Sequence, residues 1–245
     1  SHTYTYMGFN LEDPKFSDLR VREALSYAID RQALVDILLF GHGQICTGPF
    51  MPGTKAFNPK VRPFEQDIVK AKELLALAGY DEKNPLEFTL TTSAGGRANV
   101  AQILQSQLAK AGVKMKIRVL EWQAFLNTVI LPRRFESVLL AWSLGLKSDA
   151  YSIWHSESIR KGGFNFVGYS NYKVDVLIKE AEITVNADHF GALYREIFEH
   201  IANDLPYLFL YIPNSLNVVN LDISPVEPSL RGIMHNLLEW EKETK

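Results

Sequence analysis

The strongest constraint on the fold is a repeated change of hydrophobic period between residues 86 and 119. Apolar and polar side chains alternate over 86–90, which is typical of a strand. Apolar residues then recur at helical spacing over 100–108, and the alternation returns over 113–119, just after Gly112. Strand, helix and strand in this order predict a βαβ unit, in which a right-handed crossover joins two parallel strands.

The N-terminal third predicts one strand and two helices around a long loop. A strand is predicted over 4–10, and Asp18 is predicted to cap a single helix that ends near Gly41. The stretch 41–63 is rich in Gly, Pro and Asn, which predicts a loop without regular structure. Loops of this length in compact domains are often functional. Asp67 is predicted to cap the next helix.

The remainder of the chain continues the alternation of helices and strands, apart from 143–170, which has little periodicity. Apolar spacing predicts the following elements: a helix over 122–131, a strand over 135–142, helices over 174–185 and 188–203, and a strand over 207–211. Helices that alternate with strands in this way predict an α/β protein.

Composition excludes several classes of function. The formal net charge is −2, so the chain lacks the basic excess of a nucleic-acid-binding protein. Cys46 is the single cysteine, which rules out a disulfide within the chain and favours a buried, unreactive thiol. The sequence contains no run of about 18 apolar residues, the length that would predict a membrane span. Residues 1–6 do not resemble a signal peptide, which fits a cytoplasmic protein or a chain whose N-terminal part has been removed.

Motifs for cofactors and catalysis are weak. The loop 91–97 lies between a strand and a helix, but it lacks both the Gly-Lys-Ser/Thr ending and the spaced glycines of nucleotide-binding loops. The six histidines show no metal-binding spacing. We therefore expect no cofactor and no metal. Two enzymatic alternatives stay open: a hydrolase that uses Asp149, Ser152 and His155, and a thiol nucleophile at Cys46.

The aromatic residues that follow the strand over 135–142 indicate a ligand pocket. Trp142 ends this strand, and ligands of open α/β sheets bind beyond the carboxyl ends of the strands. Pockets for small ligands combine apolar and aromatic walls with a few polar groups. The next stretch supplies aromatic candidates at Tyr151, Trp154, Phe164, Phe166 and Tyr169. Polar candidates are Ser143, Ser148, Asp149 and Asn165.

Several blocks, in the right order, resemble the extracellular solute-binding proteins of ABC importers for oligopeptides, dipeptides and nickel (family 5). The block 16–31 resembles the most recognisable helix of that family, and 67–80 is similar to the block that follows. Further similar positions are Glu121, Trp122, Phe125, Asn165, Tyr169, Asn171, Tyr172, Asp175 and 204–206. The resemblance extends over nearly the whole chain.

The resemblance implies an α/β, periplasmic-binding-protein type II-like lobe with a mixed sheet and flanking helices. Members of the family are two-lobed clamshells of about twice this length, and this chain resembles only the second lobe and the tail. Residues 1–213 are therefore expected to form the ligand-binding lobe, and 214–245 a C-terminal tail that returns towards the missing N-terminal lobe. A tail without its partner surface is expected to expose apolar residues or to self-associate.

The resemblance also implies ligand-binding residues, expected at Trp142, Ser143, Leu144, Gly145, Asp149, Asn165 and Tyr169. In peptide-binding members the counterpart of Trp142 lines the pocket, and an Asp three residues later pairs with the α-amine of the peptide. Gly145 stands at that place here. Because a buried amine needs a carboxylate, other ligand classes stay open: a blocked peptide, an opine-like compound, a sugar or a metal chelate.

The expected function is capture of a peptide or small solute outside the cytoplasmic membrane, without enzymatic activity. The implied partners are the ligand, the ABC permease subunits in the membrane and the missing lobe of the same protein, with no nucleic acid. The implied location is periplasmic or otherwise extracytoplasmic. A hydrolase and a regulatory domain that has lost transport are the alternatives.

Overall fold

The computed structural model describes residues 2–145, 149–160, 162–229 and 232–242. Six of the described strands form one mixed sheet in the order β2-β6-β1-β5-β3-β4, and two short strands form a separate pair. The strands are β1 Thr3–Phe9, β2 Gly43–Ile45, β3 Glu87–Ser93, β4 Lys114–Leu120, β5 Ser137–Ser143, β6 Tyr207–Pro213, β7 Ile223–Ser224 and β8 Glu241–Lys242. The α/β class and the mixed sheet with flanking helices are confirmed.

Helices cover both faces of the large sheet. The α-helices are α1 Pro14–Ser17, α2 Leu19–Ala28, α3 Arg31–Leu39, α4 Ile68–Leu77, α5 Gly96–Lys110, α6 Trp122–Phe125, α7 Tyr151–Trp154, α8 Tyr172–Ile183 and α9 Ala187–Asp204. A π-helical segment, Leu126–Ile130, continues α6, and 3₁₀ segments occupy Ser156–Ile159 and Ile233–Glu239. Helices α2 to α5 pack on one face and α6 to α9 on the other, so two apolar cores sandwich the sheet.

The predicted βαβ unit is confirmed. Strands β3 and β4 are parallel over their full lengths, with Glu87 opposite Lys114 and Ser93 opposite Leu120, and α5 connects them. Gly112 has a φ of +84°, a left-handed conformation that glycine adopts at no steric cost. Glycine therefore suits the turn by which the chain leaves α5 and enters β4.

The single helix predicted from Asp18 to Gly41 is wrong, because the structure breaks it at Ile29. Ile29 is extended, and the Asp30 side chain accepts a hydrogen bond from Ala33 N at 2.9 Å as the cap of α3. The Gln107 amide bonds both backbone polar groups of Asp30, at 3.0 and 3.2 Å. A long-range contact from α5 therefore stabilises a break that apolar periodicity does not reveal.

The other N-terminal predictions are confirmed in outline. Asp18 and Asp67 accept hydrogen bonds from Arg20 N and Lys70 N, as helix caps do. The stretch 41–63 is largely irregular, but it begins with the short strand β2, which pairs with the edge of β6. Isolated three-residue strands lack the length over which alternation can be recognised.

Strand direction determines which edge of the sheet holds the candidate site. Strands β3, β5 and β6 run in one direction, and β1 runs antiparallel to both β5 and β6. The ends of β3, β4, β5 and β6 and the start of β1 therefore lie at one edge, which we call the carboxyl edge. The chain enters the sheet at Thr3 and leaves it at Pro213 on this same edge.

Candidate functional site

A cavity of about 190 Å³ lies at the carboxyl edge, beyond the end of β5. Its floor is the strand end itself, from Trp142 to Gly145. One wall comes from the segment after β2, and another wall comes from the residues around α7. The lining residues outside the strand end are Phe50, Met51, Thr54, Asp149, Ser152, Ile153 and Phe164. The cavity thus combines three segments that are far apart in the chain.

Stacked aromatic rings hold Trp142 in place. Its ring is nearly parallel to that of Phe166, with centroids 6.0 Å apart, and to that of Tyr6 at 6.4 Å. Tyr6 in turn stacks on Tyr207 at 3.9 Å. The Trp142 Nε1 donates to the Tyr207 hydroxyl at 3.3 Å, and burial raises the pKa of Tyr207 to about 12. Because Tyr207 stays protonated, this partner is uncharged and the indole keeps a fixed orientation.

The polar groups of the cavity wall are few. Asp149 is the one carboxylate among the lining residues that the structure describes, and it is exposed. It accepts hydrogen bonds from both the backbone N–H and the hydroxyl of Ser152. The Leu144 N–H donates to His2 O at 2.9 Å, so it is already engaged. Ser143 and Gly145 are exposed at the mouth of the cavity.

Trp142, Ser143, Leu144, Gly145 and Asp149 are therefore brought together, whereas the structure places Asn165 and Tyr169 in the interior. Their side chains are only 1% and 3% exposed, and neither lines the cavity. The structure therefore does not bring these two residues to the cavity. Ser148, another polar candidate, lies outside the described residues.

Asn165 and Tyr169 have structural hydrogen-bond partners instead. The Asn165 amide donates to His155 O at 3.2 Å and to Tyr169 O at 2.8 Å, and it accepts from Tyr169 N at 2.9 Å. The Tyr169 hydroxyl donates to the Asp204 carboxylate at 2.6 Å, and burial raises the pKa of Tyr169 above its usual range. These bonds connect the irregular segment to the end of α9.

The geometry does not favour a hydrolase. The Ser152 hydroxyl donates to Asp149, and no described hydrogen bond joins it to His155. His155 is buried, and its Nδ1 accepts from Glu157 N at 3.1 Å. A catalytic serine requires a histidine base within hydrogen-bond distance, oriented by a third group. The three residues are therefore close in sequence without forming a triad.

The thiol alternative is likewise unsupported by the geometry. Cys46 is 2% exposed and its Sγ donates to Gly48 O at 3.3 Å. Burial raises the pKa of the Cys46 thiol to about 12. Because the thiolate is the nucleophilic form, a thiol with this pKa is unreactive at neutral pH.

The described residues contain neither a metal-binding cluster nor a helix that could span a membrane. No group of three or more His, Cys, Asp or Glu side chains is placed to hold a metal ion within these ranges. Among the described helices, none combines the length and apolar character that crossing a bilayer requires.

The sequence did not single out Phe50, Met51 or Thr54 as pocket residues. They lie within the stretch 41–63, whose length and Gly/Pro content did mark it as a candidate functional loop. Ile153 was also missed, because the local sequence pattern does not distinguish an apolar residue that lines a cavity from one that packs in the core. Among the sequence features, the aromatic residues Trp142 and Phe164 did indicate the position of the cavity.

Comparisons with known proteins agree on one family. The model for bacterial extracellular solute-binding proteins, family 5, middle region, matches residues 1–163. The oligopeptide-binding protein AppA of Bacillus subtilis is 33% identical over 97% of this chain and 46% of its own length. The heme-binding protein A of Haemophilus influenzae is 26% identical over 94% of this chain and 42% of its own length.

Solved structures agree with the sequence comparisons. The structure of Bacillus subtilis AppA in complex with a nonapeptide superposes with a TM-score of 0.85 and 32% identity, covering 99% of this chain and 51% of AppA. The DppA periplasmic binding protein of Helicobacter pylori, in complex with the peptide STSA, gives a TM-score of 0.81 at 28% identity, covering 86% of this chain and 41% of DppA.

The chain spans about half the length of these relatives. The match to AppA nevertheless covers 97% of this chain, and the relatives named above are binding proteins rather than enzymes. On the family model and on the identity to AppA, the chain belongs to the bacterial extracellular solute-binding proteins of family 5.

Proposed function

We propose that this chain is the second, ligand-binding lobe of the substrate-binding component of an ABC importer for oligopeptides or dipeptides. The observation on which this proposal rests is the cavity at the carboxyl edge, walled by Trp142 and opening where the chain enters and leaves the sheet. The two solved relatives named above, whose structures contain a nonapeptide and the peptide STSA, support a peptide as the ligand.

The proposed mechanism is closure of two lobes around the ligand. Residues 1–213 would form this lobe, and 214–245 the tail that returns to the N-terminal lobe. Strand β1 starts and strand β6 ends at the carboxyl edge, so both connections to another lobe would leave beside the cavity. A ligand that makes contacts with both lobes only in the closed form shifts the population towards closure.

Within the cavity, the roles follow from chemistry. Trp142 lines the cavity with an apolar ring whose orientation is fixed by its stack, and a ligand side chain can pack against the part that lines the cavity. Ser143 and Gly145 leave the backbone accessible for hydrogen bonds with an extended peptide. Asp149 supplies a carboxylate at the wall, to which an amine can donate. No catalytic group is assigned, in keeping with a binding protein.

The proposed setting is outside the cytoplasmic membrane, where the loaded protein would deliver its ligand to the permease subunits. The kinship with extracellular solute-binding proteins supports this location. Neither a cofactor nor a nucleic acid enters the proposed cycle.

The proposal is tested by native mass spectrometry of the intact protein that contains this chain, purified without refolding. A co-purified peptide, released and sequenced, is the expected result. Titration calorimetry with that peptide would then give its dissociation constant. A bound non-peptide solute would contradict the peptide assignment, and an intact protein that binds nothing from a peptide library would contradict the transport function itself.

A further inference from the structure

The guanidinium of Arg31 is buried among neutral acceptors. Its Nε donates to Phe209 O at 2.8 Å, its Nη1 to Ser26 O at 3.1 Å and to Phe64 O at 3.3 Å, and its Nη2 to the Ser26 hydroxyl at 2.7 Å. A guanidinium has five N–H donors. The second Nη2 hydrogen therefore has no acceptor among the described residues.

The positive charge of Arg31 also lacks a counter-charge. Arg31 takes part in no salt bridge between described residues. Desolvation by burial lowers the pKa of Arg31 to about 10, so it remains a cation at neutral pH. The Cys46 thiol nearby stays neutral, since burial raises its pKa to about 12. A buried charge without compensation is costly, which points to an anion from outside the chain.

A small cavity adjoins this guanidinium. Its volume is about 30 Å³, above the roughly 10–15 Å³ that one water-sized occupant needs. Arg62, an exposed residue, lines it together with Thr47 and Asn203, and no carboxylate does so among the described residues. The Thr47 Oγ1 is buried without a hydrogen-bond partner. We call this space the arginine cavity.

An occupant can reach the arginine cavity from solvent. A groove of about 430 Å³ adjoins it and shares the lining residues Val61, Arg62, Pro63, Phe64 and Asn203. Lys60 also lines this groove, although Glu65 and Glu199 offset part of the positive charge. The arginine cavity therefore borders a larger groove at the surface rather than lying isolated in the core.

We propose that the arginine cavity binds chloride, held by the free Nη2 hydrogen of Arg31, by Arg62 and by the Thr47 hydroxyl. Two cations and one hydroxyl donor around a space of this size favour a small anion over a cation. The segment from Cys46 to Phe64 begins and ends at this cavity, while its middle residues Phe50, Met51 and Thr54 wall the ligand cavity. Bound chloride anchors that segment at both ends.

The test is thermal unfolding of the intact protein, without peptide, at constant ionic strength while sodium chloride replaces sodium methanesulfonate. Chloride should raise the Tm by an amount on the order of 2–4 °C, because an ion that binds only the folded state stabilises it. Thr47→Val and Arg62→Gln should lose most of this rise. Arg134→Gln removes the same charge from an exposed site elsewhere and should retain the rise.

Crystals grown in sodium bromide provide a direct measurement. An anomalous bromide peak within hydrogen-bond distance of Arg31 Nη2 is the expected result. Ordinary water density at that position, or a chloride-dependent rise in Tm that is equal in all four proteins, would overturn the proposal. Neither measurement involves the peptide ligand. Failure of the chloride proposal and failure of the proposed transport function would therefore be distinguishable.

Discussion

At the scale of single residues, two side chains that were both predicted to bind the ligand differ in their surroundings. Trp142 lies near the end of β5, and Asn165 lies in the irregular segment that follows. Both residues were expected to contact the ligand. Trp142 is half-buried and lines the cavity, whereas the amide of Asn165 is hydrogen-bonded to backbone groups of His155 and Tyr169. Residue type predicts which chemistry a side chain can perform, and burial decides which chemistry it does perform.

Replacing Trp142 by Ala should weaken ligand binding about 10–100-fold, because aromatic anchors of this kind often contribute about 2 kcal/mol or more. Trp142→Phe should restore part of the affinity, since the stack on Tyr6 and Phe166 needs an aromatic ring. The measurement is calorimetry with the co-purified ligand. Tyr172→Ala, which removes an exposed aromatic ring from α8, is the control. Equal affinities for the Trp142→Ala and Tyr172→Ala variants would refute the assigned role.

Replacing Asn165 by Ala should destabilise the fold by about 2–4 kcal/mol, because buried backbone groups of His155 and Tyr169 lose their partners. Urea unfolding measures this loss, with exposed Asn217→Ala as the control, for which a change within about 0.5 kcal/mol is expected. An unchanged stability combined with lost ligand binding would instead restore Asn165 to the ligand site.

At the scale of elements, the loop between β2 and α4 combines short hydrogen-bonded turns of its own with packing against α9. Phe50 and Phe57 contact aromatic rings of α9, at centroid distances of 5.1 Å to Tyr194 and 5.5 Å to Phe198. Asn58 donates to Arg195 O at 3.0 Å. This packing holds Phe50, Met51 and Thr54 against the end of β5, so α9 indirectly positions one wall of the ligand cavity.

Gly48 is the position at which this packing leaves no room. A Cβ added there would lie 2.4 Å from the Phe198 ring, far inside van der Waals contact. Gly48→Ala should destabilise the protein by about 1–3 kcal/mol through overpacking, and it should also weaken ligand binding by shifting the loop. Gly96→Ala is the matched control, because a Cβ there meets nothing within 4 Å. Thermal unfolding compares the two, and equal Tm values would contradict the close approach.

At the scale of the whole molecule, the tail differs from the rest of the chain. Residues 1–213 contain the six-stranded sheet and both cores, whereas the described part of the tail contributes only a two-stranded pair and a 3₁₀ segment. Large apolar side chains are exposed there. They are Leu216, Val218, Leu221, Met234, Leu237 and Leu238. The proposed partner surface is the N-terminal lobe of the intact protein.

This exposure predicts self-association of the 245-residue chain on its own. The triple variant Val218→Ser, Leu221→Ser and Leu238→Ser should reduce association, because it removes apolar surface that water now contacts. Sedimentation velocity at several concentrations measures the effect. Ile183→Ser with Val185→Ser, which changes exposed apolar residues outside the tail, is the control. A triple variant that associates as strongly as the unchanged chain would argue against a docking surface in the tail.

The sequence by itself determined the α/β class, the βαβ unit, the caps at Asp18 and Asp67 and the position of Trp142 at the end of a strand. Periodicity and capping depend on residues only a few positions apart, so they can be recognised along the chain. The break at Ile29, the interior placement of Asn165 and Tyr169, and the contribution of Phe50 and Thr54 to the cavity were decided by the tertiary structure alone. Each of these three features depends on contacts between segments that are distant in sequence. The local sequence pattern does not indicate which distant segments come into contact.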